Sequence, residues 1–96
     1  MHNADFTLSP GDISFIGENL SRPECVLAQS DGTLWISDNR GGVTRRGPDG
    51  RQTIVGAIAG SPNSFAMDRR GDLLVANMET CTLDRLSRDG RFHLVK

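Results

Sequence analysis

Two residues with oxygen-bearing side chains stand at matching places in this 96-residue chain. Glu24 follows Pro23, and Asn63 follows Pro62, 39 residues further on. Each opens a short apolar stretch, and carboxylate and amide oxygens are the ligands that hard divalent cations accept. The alternative is ordinary surface chemistry, with a solvated carboxylate at Glu24 and an amide that caps a turn at Asn63.

The remaining polar residues indicate less specific chemistry. Asp38 and Asn77 end two apolar stretches, where a short acceptor usually bonds the backbone of the following loop. Residues 39–42 are rich in glycine but lack the Gly-Lys-Ser/Thr and the helix of a phosphate-binding loop, so they indicate an interstrand loop. His2 and His93 have no ligand-like spacing. No Ser-His-Asp or Cys-His arrangement is apparent, so the catalytic residues are unknown.

A repeat with a period of 39 residues contains these positions. Residues 23–38 align with 62–77 without a gap. Residues 49–51 align with 89–91 at an offset of 40, which places one inserted residue in a loop. A period near 40 built of strand-like units is typical of β-propeller blades. A generic antiparallel sheet is the alternative.

Short alternating segments between turn signals predict an all-β chain. The predicted strands lie at 24–28, 34–38, 43–46 and 52–55 in the first repeat, and at 64–68, 73–77, 82–86 and 92–95 in the second. A further short strand is predicted at 13–17, and Gly32 is expected to supply the positive φ of a tight hairpin. Trp35 is expected to pack between the blades. The chain thus divides into a flexible leader at 1–12 and a partial β-propeller domain at 13–96. That domain holds about two four-stranded antiparallel blades, with repeats at about 22–56 and 61–96.

The charge balance argues against two classes of partner. The chain carries 11 Lys and Arg against 12 Asp and Glu, a formal net charge of −1. Neither nucleic acid nor a membrane surface is predicted as a partner, because the chain has no single-sign field to attract them. No apolar run approaches the length of a transmembrane helix, and the first ten residues do not resemble a secretory signal. Cys25 and Cys81 have no metal-type spacing, and a cytoplasmic location is predicted.

Three segments together resemble a known family. They read Arg-Pro-Glu-Cys-Val-Leu-Ala at 22–28, Asp-Gly-Thr-Leu-Trp-Ile-Ser-Asp-Asn at 31–39, and Gly-Ser-Pro-Asn-Ser-Phe-Ala-Met-Asp at 60–68. The chain is similar there to the N-terminal portion of the senescence marker protein, gluconolactonase and luciferin-regenerating enzyme (regucalcin-like) family. The resemblance covers about residues 13–96. The NHL-repeat and strictosidine-synthase-like propellers share the Asp-Gly-x-Leu pattern, but Pro-Glu at one blade start and Pro-Asn at the next favour this family.

The resemblance implies a six-bladed propeller with one divalent cation (Ca, Zn, Mg or Mn) at the mouth of its central channel. It implies that Glu24 is a metal ligand and that Asn63 binds substrate beside the metal. The family's later Asn and Asp ligands would lie beyond Lys96, and Glu79 stands in a loop near the implied channel mouth. The implied activity is hydrolysis of a sugar lactone. The alternative is a non-catalytic propeller module that binds a ligand or a metal.

Two blades do not close a ring, and arrays of fewer than about three repeats are rarely stable. We therefore expect the chain to be either a piece of a longer protein or a subunit that assembles. Three chains of two blades would make six blades and bring three copies of Glu24 around one channel. A homotrimer is predicted if the chain is complete.

Overall fold

A computed structural model of the chain describes residues 6–40, 42–56 and 61–96. A 3₁₀ turn at Pro10–Asp12 precedes eight strands: β1 (Val26–Ala28), β2 (Leu34–Asp38), β3 (Gly42–Arg46), β4 (Gln52–Val55), β5 (Pro62–Met67), β6 (Leu73–Asn77), β7 (Thr82–Leu86) and β8 (Phe92–Leu94). They pair into two four-stranded antiparallel sheets, in the orders β1-β2-β3-β4 (sheet 1) and β5-β6-β7-β8 (sheet 2). The all-β class is confirmed. None of the described segments is a helix long and apolar enough to span a membrane.

Four hairpin turns of one kind join the paired strands. In residues 29–33, the Gln29 N–H donates to the Thr33 carbonyl at 2.8 Å, and the Gly32 N–H donates to the Gln29 carbonyl at 3.0 Å. The same two bonds recur in residues 47–51, 68–72 and 87–91. The fourth residue of each turn is a glycine with φ between 84° and 94°. Glycine adopts this left-handed conformation without steric cost, and the positive φ predicted at Gly32 is confirmed.

The core lies between the two sheets. We call the faces that the sheets turn toward each other the inner faces, and the other two the outer faces. Trp35 and Val43 on the inner face of sheet 1 pack with Leu73, Val75 and Leu86 of sheet 2, and none of the five is more than 6% exposed. Trp35 therefore packs between the sheets, as predicted.

The two sheets stack head to tail, like successive copies of one unit. Alternate side chains along a strand turn to opposite faces. Phe65 and Leu73 lie on the inner face of sheet 2, whereas their repeat equivalents Val26 and Leu34 lie on the outer face of sheet 1. The face of sheet 2 that packs on sheet 1 is therefore the repeat equivalent of the outer face of sheet 1.

The strand predicted at 13–17 is wrong, because these residues pair with none of the strands in the described part of the chain. The backbone instead turns at Gly17, with a φ of 91°, and at Asn19, with a φ of 56°. Glu18 docks on sheet 1 through the side chain of Gln52. The Gln52 amide accepts the Glu18 N–H and donates to the Glu18 carbonyl, both at 2.8 Å. These two bonds hold the end of the segment against sheet 1.

The first strand of each sheet begins at a different residue from the one predicted. β1 begins at Val26, so Glu24 precedes the strand. β5 begins at Pro62, and its pairing shifts register between Pro62 and Ser64. Asn63 therefore lies at an irregularity in the strand, of the kind that re-aims a side chain.

Candidate functional site

Glu24 and Asn63 line one cleft, whose volume is about 60 Å³. Arg22, Asn39 and Ser61 also line it. The cleft lies where the first strand of each sheet begins. Two residues 39 positions apart in the sequence share it because β2 and β5 contact each other, with equivalent ends of the sheets together.

A buried hydroxyl group holds the backbone of Glu24. Ser37 in β2 is fully buried, and its Oγ accepts the N–H groups of Glu24 and Cys25, both at 2.9 Å. The Ser37 N–H donates in turn to the Cys25 carbonyl at 3.0 Å. These bonds position Glu24 at the cleft. Sequence reasoning missed Ser37, although a small polar residue on the inner face of an apolar strand was a usable signal.

The Glu24 carboxylate is accessible to a ligand. Its side chain is 46% exposed, and its Oε1 lies 3.4 Å from Nη2 of Arg22, whose side chain is 71% exposed. An ion pair this exposed contributes little to stability, because water screens it. A ligand could therefore displace Arg22 at small cost.

Hydrogen bonds tie the two sheets together beside the cleft. The Ser61 hydroxyl donates to Asn39 Oδ1 at 2.6 Å, across the sheet boundary. The Ser61 N–H donates to Asn77 Oδ1 at 3.1 Å, and the Met78 N–H donates to the Ser61 carbonyl at 2.9 Å. Asn77 Oδ1 also accepts the N–H of Thr80 in the following loop at 3.4 Å, which is the loop bond predicted for an acceptor at the end of this strand.

Asp38 is buried, forms an ion pair with the partly exposed Arg40, and does not line the cleft. Its carboxylate accepts Arg40 Nη2–H at 2.6 Å, the Thr44 hydroxyl at 2.8 Å and the Arg40 backbone N–H at 3.0 Å. The last of these is the predicted loop bond. Burial acts to raise the pKa of the Asp38 carboxyl, but the hydrogen bonds from Arg40 and Thr44 outweigh it and lower the pKa to about 2. A carboxylate so engaged is structural rather than a proton acceptor.

The second repeat keeps this polar link with donor and acceptor exchanged. Asn77 and Asp84 occupy the positions equivalent to Asp38 and Thr44. In sheet 1 the Thr44 hydroxyl donates to Asp38, whereas in sheet 2 Asn77 Nδ2 donates to Asp84 Oδ2 at 3.4 Å. The link between the second and third strands is retained while the carboxylate moves from one strand to the other.

The oxygen atoms around the cleft fit a hard divalent cation in kind but are few. Glu24 supplies one carboxylate, and Asn39 and Asn63 supply amide oxygens, whereas such cations take six or more oxygen ligands. Among the described residues, no group of three or more His, Cys, Asp or Glu side chains is placed to hold a metal ion. Because the cleft has only one carboxylate, we expect it to bind a divalent cation weakly, with a dissociation constant on the order of 10⁻³ M.

The other residues considered from the sequence lie apart from the cleft. Glu79 is exposed and does not line it, and His93 lies in β8 at another surface. The Cys25 Sγ lies 3.9 Å from the Phe65 carbonyl, where it packs as a half-buried side chain. His2 lies outside the described residues.

No protein-family model, curated protein or solved structure matches the chain. The functional conclusion therefore depends on the repeat, the stacking of the two sheets and the cleft that Glu24 and Asn63 share.

Proposed function

We propose that the chain forms two neighbouring blades of a β-propeller that binds a divalent cation and a sugar lactone for hydrolysis, in the manner of gluconolactonase-like proteins. The observation that carries this proposal is that Glu24 and Asn63, equivalent in the repeat, line one cleft. Repeat-equivalent residues converge in this way when successive blades are related by rotation about a channel. The composition favours a cytoplasmic location.

The propeller architecture is supported by the way the two sheets pack. Each sheet is a four-stranded meander. The inner face of sheet 1 packs against a face of sheet 2 that is equivalent, in the repeat, to the outer face of sheet 1. A sandwich of two sheets would instead bury equivalent faces against each other. Head-to-tail stacking allows further sheets to be added at either end, as in a propeller.

The cleft residues have distinct roles in the proposed reaction. Glu24, positioned by Ser37, would hold the cation by its carboxylate, and the Asn63 amide would hydrogen-bond the substrate and orient it. A divalent cation bound there would supply Lewis-acid stabilisation of the negative charge that develops on the lactone carbonyl oxygen. Arg22 lies beside Glu24, where it would meet the carboxylate that hydrolysis releases.

The second candidate is a non-catalytic module that binds a small polar ligand or a metal ion. One observation favours it: Glu24 is the only carboxylate that lines the cleft among the described residues, so a cleft that uses Glu24 to bind cation contains no further carboxylate to act as a base. Asp38 does not take that role, because Arg40 and Thr44 already engage it.

Calorimetric titration with Ca²⁺, Mg²⁺, Mn²⁺ and Zn²⁺ tests the binding proposal. The unaltered chain should bind at least one of these ions, and Glu24→Gln should weaken that binding at least tenfold. Glu18→Gln is the matched control, because Glu18 is equally an exposed carboxylate but lies outside the cleft. Equal binding by the Glu24→Gln chain would contradict the assignment.

A lactone assay with the bound ion then separates the two candidates. Hydrolysis of glucono-1,5-lactone above the spontaneous rate that is lost in Glu24→Gln supports the enzyme. Cation or lactone binding without acceleration supports the non-catalytic module.

A further inference from the structure

Both outer faces carry exposed apolar side chains. On the outer face of sheet 1, Val26 is 57% exposed and Ile54 is 44% exposed. On the outer face of sheet 2, Leu83 is 38% exposed, and Ala66 and Ala76 beside it are also exposed. Apolar surface on the faces of a β-sheet normally lies against another layer.

The repeat identifies what kind of layer each face matches. Val26 corresponds to Phe65, which packs against the core between the sheets. Ile54 corresponds to Leu94, which lies on the same face of sheet 2 but is 70% exposed. Leu83 corresponds to Val43, which is fully buried against sheet 2. The outer face of sheet 1 is thus of the type that docks onto a sheet, and the outer face of sheet 2 is of the type that receives one.

We propose that the outer face of sheet 2 receives the outer face of sheet 1 from a second copy of this chain. The contact would repeat between chains the head-to-tail stacking that already exists between the two sheets of one chain. Such a contact is heterologous, so it produces a closed ring when the rotation closes and an open array when it does not. The inference rests on the proposed propeller architecture but does not depend on metal binding.

The segment 15–19 already covers part of the outer face of sheet 1, where Ile36 is 4% exposed and Thr44 is fully buried, so a docking partner would meet this segment together with Val26. It lies over β3 and β4, where it is held by the bonds between Glu18 and Gln52, and an open cleft of about 610 Å³ separates it from the sheet. Phe15 is 95% exposed and Ile16 is 60% exposed, so the segment adds apolar surface to the same side of the molecule. Val26 in β1 stays uncovered.

Docking would also complete the candidate site. Within one chain, the stacking places Asn63 of sheet 2 beside Glu24 of sheet 1. If sheet 1 of a second copy stacks on sheet 2 in the same way, the Glu24 of that copy would lie at the end of sheet 2 that carries Asn63. The described part of one chain supplies a single carboxylate to the cleft, and docking would bring a second one to the same end of the sheets.

Light scattering behind a sizing column tests the proposal on three variants of the full chain. Leu83→Glu places a charge on the receiving face, and Val26→Glu places one on the docking face. Leu8→Glu is the control, because Leu8 is 60% exposed but lies in the segment before both sheets. The unaltered chain and Leu8→Glu should form oligomers of the same mass, and each of the other two variants alone should be monomeric. Circular dichroism verifies that all variants keep their strand content.

Mixing the two monomeric variants gives the sharpest result. The Val26→Glu chain keeps its receiving face, and the Leu83→Glu chain keeps its docking face, so an equimolar mixture should form a dimer and nothing larger. A monomeric unaltered chain at every concentration would overturn the proposal and leave another polypeptide as the occupant of these faces. An oligomer that both variants leave intact, or a mixture that stays monomeric, would also overturn it. Metal binding by a monomeric chain would leave the proposed function standing.

Discussion

Asp38 accepts hydrogen bonds from the backbone and side chain of Arg40 and from the Thr44 hydroxyl. Its buried carboxylate is neutralised by Arg40 and bonded by Thr44, and a buried charge without such partners would be costly. The pair stabilises the loop after β2, the loop that carries Asn39 to the cleft. Asp38 is therefore a structural residue on which the geometry of the candidate site depends.

The lowered pKa of Asp38 predicts how stability changes with acid. The folded pKa of about 2 lies below the ordinary value of 3.8, so the stabilisation is fully present above about pH 4 and is lost as the pH falls toward 2. Asp38→Asn should lower the free energy of unfolding by about 2 kcal/mol at neutral pH, and the difference should shrink below pH 4. Urea denaturation of both chains across this pH range measures it.

Asp89→Asn is the matched control for this measurement. Asp89 also pairs with an arginine two residues later, Arg91, but both side chains are more than half exposed. We expect a much smaller change in the free energy of unfolding, because water screens an exposed pair. Equal losses in the two variants would show that burial of Asp38 does not matter.

Ser37 is expected to act as a positioning residue. Ser37→Ala removes the acceptor of two backbone N–H groups and should lower the free energy of unfolding by about 1–3 kcal/mol. If the hydroxyl also positions Glu24, cation affinity measured by calorimetry should fall in the folded variant. Ser64→Ala, at an exposed serine in β5, should change neither quantity. Unchanged cation affinity in a destabilised Ser37→Ala chain would limit Ser37 to a role in stability.

At the scale of the elements, glycine decides where strands can turn and where sheets can approach. Gly32 and Gly56 both have a left-handed backbone, with φ of 94° and 84°. A Cβ at Gly32 would meet only Pro48, at 3.6 Å, whereas one at Gly56 would lie 2.6 Å from Phe92 and 2.8 Å from Leu86 of sheet 2. The first glycine serves a turn, and the second serves the contact between the sheets.

Alanine at these two positions should therefore have different costs. Gly32→Ala should lower the free energy of unfolding by about 1–2 kcal/mol through backbone strain alone. Gly56→Ala should add an overpacking cost of roughly 1–3 kcal/mol, because the ring of Phe92 and the Leu86 side chain must shift. Chemical denaturation of both variants tests this order, and an equal or smaller loss for Gly56→Ala would contradict the close packing of the sheets.

At the scale of the whole molecule, one small core lies between the two sheets of the described chain, and both outer faces carry some exposed apolar residues. A 96-residue chain with one such core has little margin of stability, because small domains bury a limited share of their surface. Adding another sheet at either outer face would extend the core. The proposed docking of a second copy and the stability of the fold are thus linked.

This linkage predicts that thermal stability depends on protein concentration. The midpoint of thermal unfolding of the unaltered chain should rise with concentration, because association stabilises the folded state by mass action. The midpoint of Leu83→Glu should be independent of concentration, and Leu8→Glu should behave as the unaltered chain does. Differential scanning calorimetry at several concentrations measures this, and a constant midpoint in the unaltered chain would contradict docking.

Local sequence features were sufficient to predict most of the fold. The strands at 34–38, 52–55, 73–77 and 82–86 were predicted with the bounds that the structure has. Turn chemistry and the alternation of side chains act within a few residues, so they can be read along the chain. The 39-residue period also predicted that the two sheets would be equivalent.

Only the tertiary structure decided which side chains meet. The strand predicted at 13–17 did not form, and the adjoining Glu18 bonds the side chain of Gln52, more than thirty residues away. Ser37 and Ser61 became important for the same reason, since each bonds groups that are distant in the sequence. The repeat determined by itself that Glu24 and Asn63 are equivalent, whereas the stacking of the sheets decided that they share a cleft. Strand and turn patterns are local, but contacts between sheets depend on how whole faces pack.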